Sequence, residues 1–217
     1  MRIPVALSLL AFGLLYSIPT AQAVELWRIG SLDADYGEFA LAGRYQDFAS
    51  TFSHGVAFTI GTSDPARDWP YIHPGPADAW SGNQSHSFKV LFALDRLPET
   101  ACRLMVALTS THGGAPPSVA VTVNGRACDT AQLPRGGNDD ALTNPKAGKP
   151  SRQSFLFPAD WLVEGANQIE LITTSGSWML YDAVKLEDGI PNTPDISRIE
   201  AVSTPMFKTV DGELRQA

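Results

Sequence analysis

The sequence predicts an all-β chain, an antiparallel two-sheet β-sandwich of jelly-roll type. Three observations carry that prediction. Apolar residues recur with period two from Val24 onward, Gly, Pro, Asn and Asp clusters interrupt them at short intervals, and helical periods are nearly absent. An all-β chain of this kind must close or double its sheet to hide its edges, and about eight strands joined by long connections favour two packed sheets.

Taken in order, the first strand falls at 26–29 and the second at 56–60. In the third, Phe88, Val90, Phe92 and Leu94 alternate with Lys89, Leu91 and Ala93, so one face belongs to a core. A fourth lies at 104–109. Val119, Val121 and Val123 form the fifth and run into Asn124-Gly125, the strongest short hairpin signal. Strands at 154–157, 168–173 and 178–186 complete the set, with one helical turn over 158–163 that opens on Pro158 and ends near Gly165. Two connections are long. Residues 61–82 hold four prolines together with Trp69, Tyr71 and Trp80, whereas 133–153 is polar and free of aromatics and reads as a solvated excursion. Beyond Glu187 a linker leads to a candidate strand pair at 196–202 and 205–214, with Asp211-Gly212 as its turn. Two strands alone are not independently stable, so the 188–217 tail is expected to begin a further domain or to extend the sandwich edge.

The 217 residues hold 16 basic and 23 acidic side chains, a formal charge of −7, and phosphate-backbone binding needs the opposite balance. Nucleic acid is therefore excluded as a partner. Residues 1–23 have the form of a cleaved secretory signal: Arg2, an apolar run too short to span a bilayer, then Ala21-Gln22-Ala23. The alternative is an uncleaved N-terminal anchor. After cleavage, no second apolar run is long enough for a membrane, and the expected location is secreted or periplasmic. An oxidising compartment permits a disulfide between Cys102 and Cys128, which stand at the edges of neighbouring candidate strands, against two separate buried thiols.

The order of motifs resembles a known family. Leu26-Trp27-Arg28-Ile29-Gly30, Thr59-Ile60-Gly61-Thr62-Ser63 with Asp68-Trp69-Pro70-Tyr71, and Val121-Thr122-Val123-Asn124-Gly125 come first. Asn138-Asp139-Asp140-Ala141, Glu164-Gly165-Ala166-Asn167-Gln168-Ile169 and Met179-Leu180-Tyr181-Asp182-Ala183-Val184 follow. Together they are similar to the C-terminal module of rhamnogalacturonan lyases, polysaccharide lyase family 4, over residues 24–187. The resemblance implies a galactose-binding-like sandwich akin to carbohydrate-binding modules. In that family the eliminating residues lie in a separate N-terminal domain, so binding rather than elimination carries over. The partners implied are a polysaccharide or oligosaccharide and a catalytic domain of a carbohydrate-active enzyme.

Side chains that bear chemistry fit this reading. His54, His73, His86 and His112 show no spacing with Lys or Arg that suggests a lyase base, and there is no G-x-S-x-G elbow, phosphate loop or H-E-x-x-H helix. Sugar rings stack on flat apolar faces while polar neighbours bond their hydroxyls. Trp69, Tyr71 and Trp80 in the Pro-fixed loop, beside Asp64, Arg67 and Asp68, supply that mixture. The same loop is also suited to packing on a neighbouring domain. Trp178 stands either as a rim aromatic or as a strand-start core residue. Asp33, Asp35 and Glu38 fail the EF-hand template because Gly37 takes its third position, which leaves Asp182 and Glu187 as carboxylates for a structural calcium or as solvated turn residues.

Overall fold

A computed structural model describes residues 23–190 together with 207–210 and 213–216. The chain forms two five-stranded sheets. The first contains β1 (Val24–Gly30), β10 (Met179–Ile190), β5 (Ala101–Thr111) and β8 (Ser151–Phe157) in that spatial order, with the two-residue β3 (Ile72–His73) also paired to β10. The second runs β2 (Val56–Thr59), β4 (Ser87–Leu94), β9 (Gly165–Ser175), β6 (Ser118–Val123), β7 (Arg126–Gln132). Two short helices, α1 (Phe48–Thr51) and α2 (Pro65–Asp68), sit in the connections.

The alternation read from sequence lands on the core. Phe88, Val90 and Phe92 of β4, Val119, Val121 and Val123 of β6, and Ile169 and Leu171 of β9 are buried between the sheets. Asn124 and Gly125 take φ of 49° and 77°, the pair of left-handed residues a two-residue hairpin requires. Residues 179–184 of β10 are buried without alternation. Their outer face is covered too, since Leu32 from the connection after β1 packs on Met105, Ala107 and Ala183.

Several features depart from the expectation. β2 pairs with β4 in parallel, Val56 opposite Phe88, so the sheets are not purely antiparallel. β7 has no buried residue because it is a solvated edge strand, and an edge strand carries no apolar alternation to read. The 133–153 stretch is not a free excursion: Leu133, Ala141 and Leu142 are buried. In the tail, β11 (Phe207–Val210) pairs antiparallel with β12 (Glu213–Gln216), so the first arm of the pair falls within the predicted second strand and the second arm begins at its end and runs past it. The predicted strand at 196–202, the predicted Asp211-Gly212 turn and residues 1–22 of the expected signal segment lie outside the described residues.

The expected disulfide is also corrected. Cys102 and Cys128 are free, on β5 and β7 of opposite sheets rather than on neighbouring strands. Burial pushes the Cys102 thiol up to about 12 and raises that of Cys128, so neither is activated as a thiolate. Thiol titration of the unfolded, unreduced protein should therefore find both groups, and finding none would restore the disulfide.

Candidate functional site

One pole of the sandwich gathers the starts of β4, β6, β8 and β10 and the ends of β5, β7 and β9. Val24 and Asp188, where the chain enters and leaves the sandwich, pair at the other pole. The loops of the first pole are fastened in place. Tyr36 and Tyr71, their rings 4.7 Å apart, donate hydroxyl hydrogen bonds to the carbonyls of Ala141 (3.0 Å) and Leu142 (2.8 Å). The Ser110 hydroxyl at the end of β5 accepts from the Gly137 and Lys149 amides at 3.0 and 3.3 Å. The loop crosses so close that a Cβ on Gly136 would stand 2.0 Å from the Thr111 carbonyl oxygen, which only glycine accommodates. Asp78 joins two further connections: its carboxylate accepts from the Gly75 amide at 2.8 Å and from the Ser177 hydroxyl. It is 4% exposed, and burial raises its carboxyl against those two bonds.

These loops enclose a cleft of about 280 Å³ lined by Tyr45, Asp78, Trp80, His112, Asp139 and Trp178 among others. It continues past His112 into a more open depression of about 520 Å³ bounded by Gly113, Gly136, Asp139, Asp140 and Lys149. Trp80 is half-buried and meets Tyr45 edge-on at 5.1 Å, so the pair offers an apolar surface fixed by its own contacts. His112 stands edge-on to Trp178 at 5.5 Å. Its Nδ1 accepts from the amides of Gly114 (3.1 Å) and Ala115 (2.8 Å). The proton is thereby assigned to Nε2, which lies 3.9 Å from Asp139 Oδ1 and donates toward the cleft. Aromatic edges, a fixed N–H donor, three carboxylates and one ammonium make a surface suited to hydroxyl-rich ligands.

The structure redistributes the residues singled out from sequence. Trp69 and Tyr71 are wholly buried and offer no stacking face. Trp69 is enclosed by Phe58, Phe88 and Tyr181, with ring centroids 5.2–6.0 Å away. Tyr71 acts on the cleft only indirectly, through the carbonyl it holds. Asp64, Arg67 and Asp68 are occupied with one another. Asp64 caps α2 through the Ala66 amide, and Arg67 binds Asp68 through two 2.8 Å hydrogen bonds. They line neither part of the cleft. Of the loop aromatics, Trp80 reaches the site, and Trp178, 2% exposed, supports it from beneath.

Asp182 and Glu187 do not assemble a calcium site. Glu187 is held by Arg103 Nη2 at 2.7 Å and by the Lys185 ammonium. Burial would raise its carboxyl, but the two cations together hold it below the usual range. Asp182 accepts from the amides of Ala34 (2.8 Å) and Asp33 (3.2 Å). Among the described residues no group of three His, Cys, Asp or Glu gathers at metal-binding distance. Sequence reasoning missed Tyr45, His112, Asp139 and Lys149. The available signal was Gly136-Gly137 directly before Asn138-Asp139-Asp140, a tight turn followed by clustered carboxylates.

The fold and cleft define a two-sheet β-sandwich module with a loop-borne site at one pole. Residues 25–186 match the family model for the CBM-like domain III of polysaccharide lyase family 4, and the chain belongs to that family. Rhamnogalacturonate lyase B of Emericella nidulans is 26% identical over 78% of this chain and 34% of its own length. Probable rhamnogalacturonate lyase B of Aspergillus niger is 26% identical over 68% of this chain and 27% of its own. The chain thus spans about a third of the length of the curated relatives it matches. Among solved structures, a family 35 carbohydrate binding module from an environmental isolate aligns at 16% identity with a TM-score of 0.31, covering 48% of this chain and 64% of that one.

Proposed function

We propose that this chain is a secreted carbohydrate-binding module without chemistry of its own, accessory to the breakdown of pectin or rhamnogalacturonan-type polysaccharide. The observation that carries the reading is the half-buried Trp80–Tyr45 pair facing His112 and Asp139 across a loop-borne cleft. Family membership supports the ligand class, and the residue pattern of 1–23 supports export. Asp78, Asp139 and Asp140 stand against a single ammonium, Lys149, so a neutral or sparsely charged stretch of glycan is favoured over polygalacturonate. Among the described residues no helix is long and apolar enough to cross a membrane.

Calorimetric titration with rhamnogalacturonan oligosaccharides tests the reading. Trp80→Ala is expected to weaken binding by about 1–2 kcal/mol, roughly 5–30-fold, through loss of the aromatic surface. Wild-type affinity in that variant, or no saccharide binding by the intact chain, would overturn it. Growth of near-ultraviolet absorbance from unsaturated uronates would overturn the non-catalytic half.

A second reading, a docking domain for a larger carbohydrate-active enzyme, draws on a different observation. The exposed large apolar residues Val24, Leu97, Leu156 and Val163 all lie toward the pole where the chain enters and leaves, opposite the cleft. A module docked there would keep its cleft free, so the two roles are compatible.

A further inference from the structure

We propose that the groove between the α1–β2 segment and the start of β4 is a second saccharide subsite continuous with the polar cleft, so that the module holds an extended stretch of glycan rather than a single terminal sugar. This rests on the carbohydrate-binding reading above and deepens it.

The groove has a volume of about 580 Å³, within the range of ligand sites, and is lined by Phe52, His54, Gln84, His86, Lys89 and Glu170 among others. A row of rings joins it to the cleft. Tyr45 meets Trp80 at 5.1 Å, Trp80 meets Phe48 at 6.4 Å, and Phe48 stacks on Phe52 at 5.8 Å. Phe48 is 2% exposed and anchors the row in the core, where it also stacks on Phe88 at 6.0 Å. Tyr45 and Trp80 keep part of their surface accessible in the cleft, and Phe52 does so in the groove. Ser81, the residue after Trp80, lines the groove while Trp80 lines the cleft, so consecutive residues of one short segment border the two depressions.

Polar groups stand at intervals along this apolar row. His86 Nε2 donates to the Ser81 carbonyl at 3.1 Å, which assigns Nδ1 as an acceptor. Glu170 accepts from the Ser87 hydroxyl and lies 3.9 Å from Lys89 Nζ, leaving a partly accessible, partly neutralised pair in the groove lining. An accessible aromatic flanked by donors and acceptors of both kinds repeats the chemistry of the cleft, and a chain of sugars presents its apolar faces and hydroxyls in the same recurring way. Pre-fixed rings also lose little conformational freedom on binding.

The test is a length series of rhamnogalacturonan oligosaccharides titrated against the intact chain. Affinity is expected to rise at least about tenfold from the shortest ligand that binds to the longest. Phe52→Ala, and Ala57→Gln, which crowds the groove from an exposed position on β2, should each weaken the longest ligand by about 5–10-fold and leave the shortest unchanged. Trp80→Ala should weaken both. Equal affinity at all lengths, or wild-type binding of long ligands by the Ala57→Gln protein, would overturn the second subsite while leaving the cleft reading intact. Failure of every oligosaccharide to bind would instead overturn the carbohydrate-binding reading beneath it. Ala57→Gln removes no buried contact, so it decides the matter even where Phe52→Ala fails to fold.

Discussion

Trp69→Ala is expected to destabilise the fold by about 3–5 kcal/mol and to leave the affinity of any folded fraction for saccharide close to wild type. The indole is wholly buried among Phe58, Phe88 and Tyr181, at the junction of both sheets, so truncation leaves a cavity that the surrounding strands cannot close. For a domain of this size the loss corresponds to roughly 6–20 °C in melting temperature. Trp69→Phe should cost much less. The Trp69 Nε1 is buried without a hydrogen-bond partner, and phenylalanine keeps an aromatic filling while removing that orphaned donor. Paired thermal melts and titrations of the two variants decide the point. A stable Trp69→Ala protein with lost glycan affinity would return Trp69 to the binding surface.

The second large effect concerns acid. His73 is wholly buried, stacked on Phe88 at 3.7 Å, with Nε2 3.0 Å from the His86 carbonyl and Nδ1 2.8 Å from the Tyr181 hydroxyl. A carbonyl only accepts, so Nε2 carries the proton and Tyr181 donates to Nδ1. Burial lowers the His73 pKa from the usual 6.5 to about 3. The unfolded chain therefore takes up a proton below pH 6.5 that the native protein refuses. The stabilisation from neutral His73 is full above pH 6.5 and is lost as pH falls toward 3, at about 1.4 kcal/mol per pH unit. Between pH 6.5 and 4.5 that amounts to about 3 kcal/mol. His86, also lowered by burial, adds in the same direction. Asp78 opposes them, because a carboxyl raised by burial costs stability as pH rises through the ordinary carboxylate range. Nitrogen chemical shifts of the His73 ring at pH 5 should report a neutral Nε2–H tautomer in the folded protein. His73→Phe should flatten the acid slope while lowering stability at pH 7, since Tyr181 and the His86 carbonyl lose their partner. A protonated ring at pH 5 in the native state, or an unchanged slope in the variant, would contradict the assignment.

What the sequence determined by itself was whatever depends on neighbouring residues. Alternation in Phe88-Lys89-Val90-Leu91-Phe92 specifies a strand and its buried face, because successive side chains of a strand point to opposite sides. Asn124-Gly125 specifies a tight hairpin, because these residues tolerate the positive φ it requires. The ordered motifs that resemble the lyase module are likewise local strings, and the family match over residues 25–186 agrees with them. Only the tertiary structure decided which way an aromatic faces. Residues 69–73 read as loop, yet the Tyr71 amide bonds the Ala40 carbonyl, the Tyr181 amide bonds the Tyr71 carbonyl, and Ile72 pairs with Leu180. Partners distant in sequence, Ala40 on one side and Leu180 and Tyr181 on the other, thus draw Trp69 and Tyr71 inward, and no property of the loop's own composition records them. The cleft was hidden for the same reason. His112 and Asp139 come from different connections, and they meet because β5 and β8 are neighbours in one sheet whose loops end at the same pole.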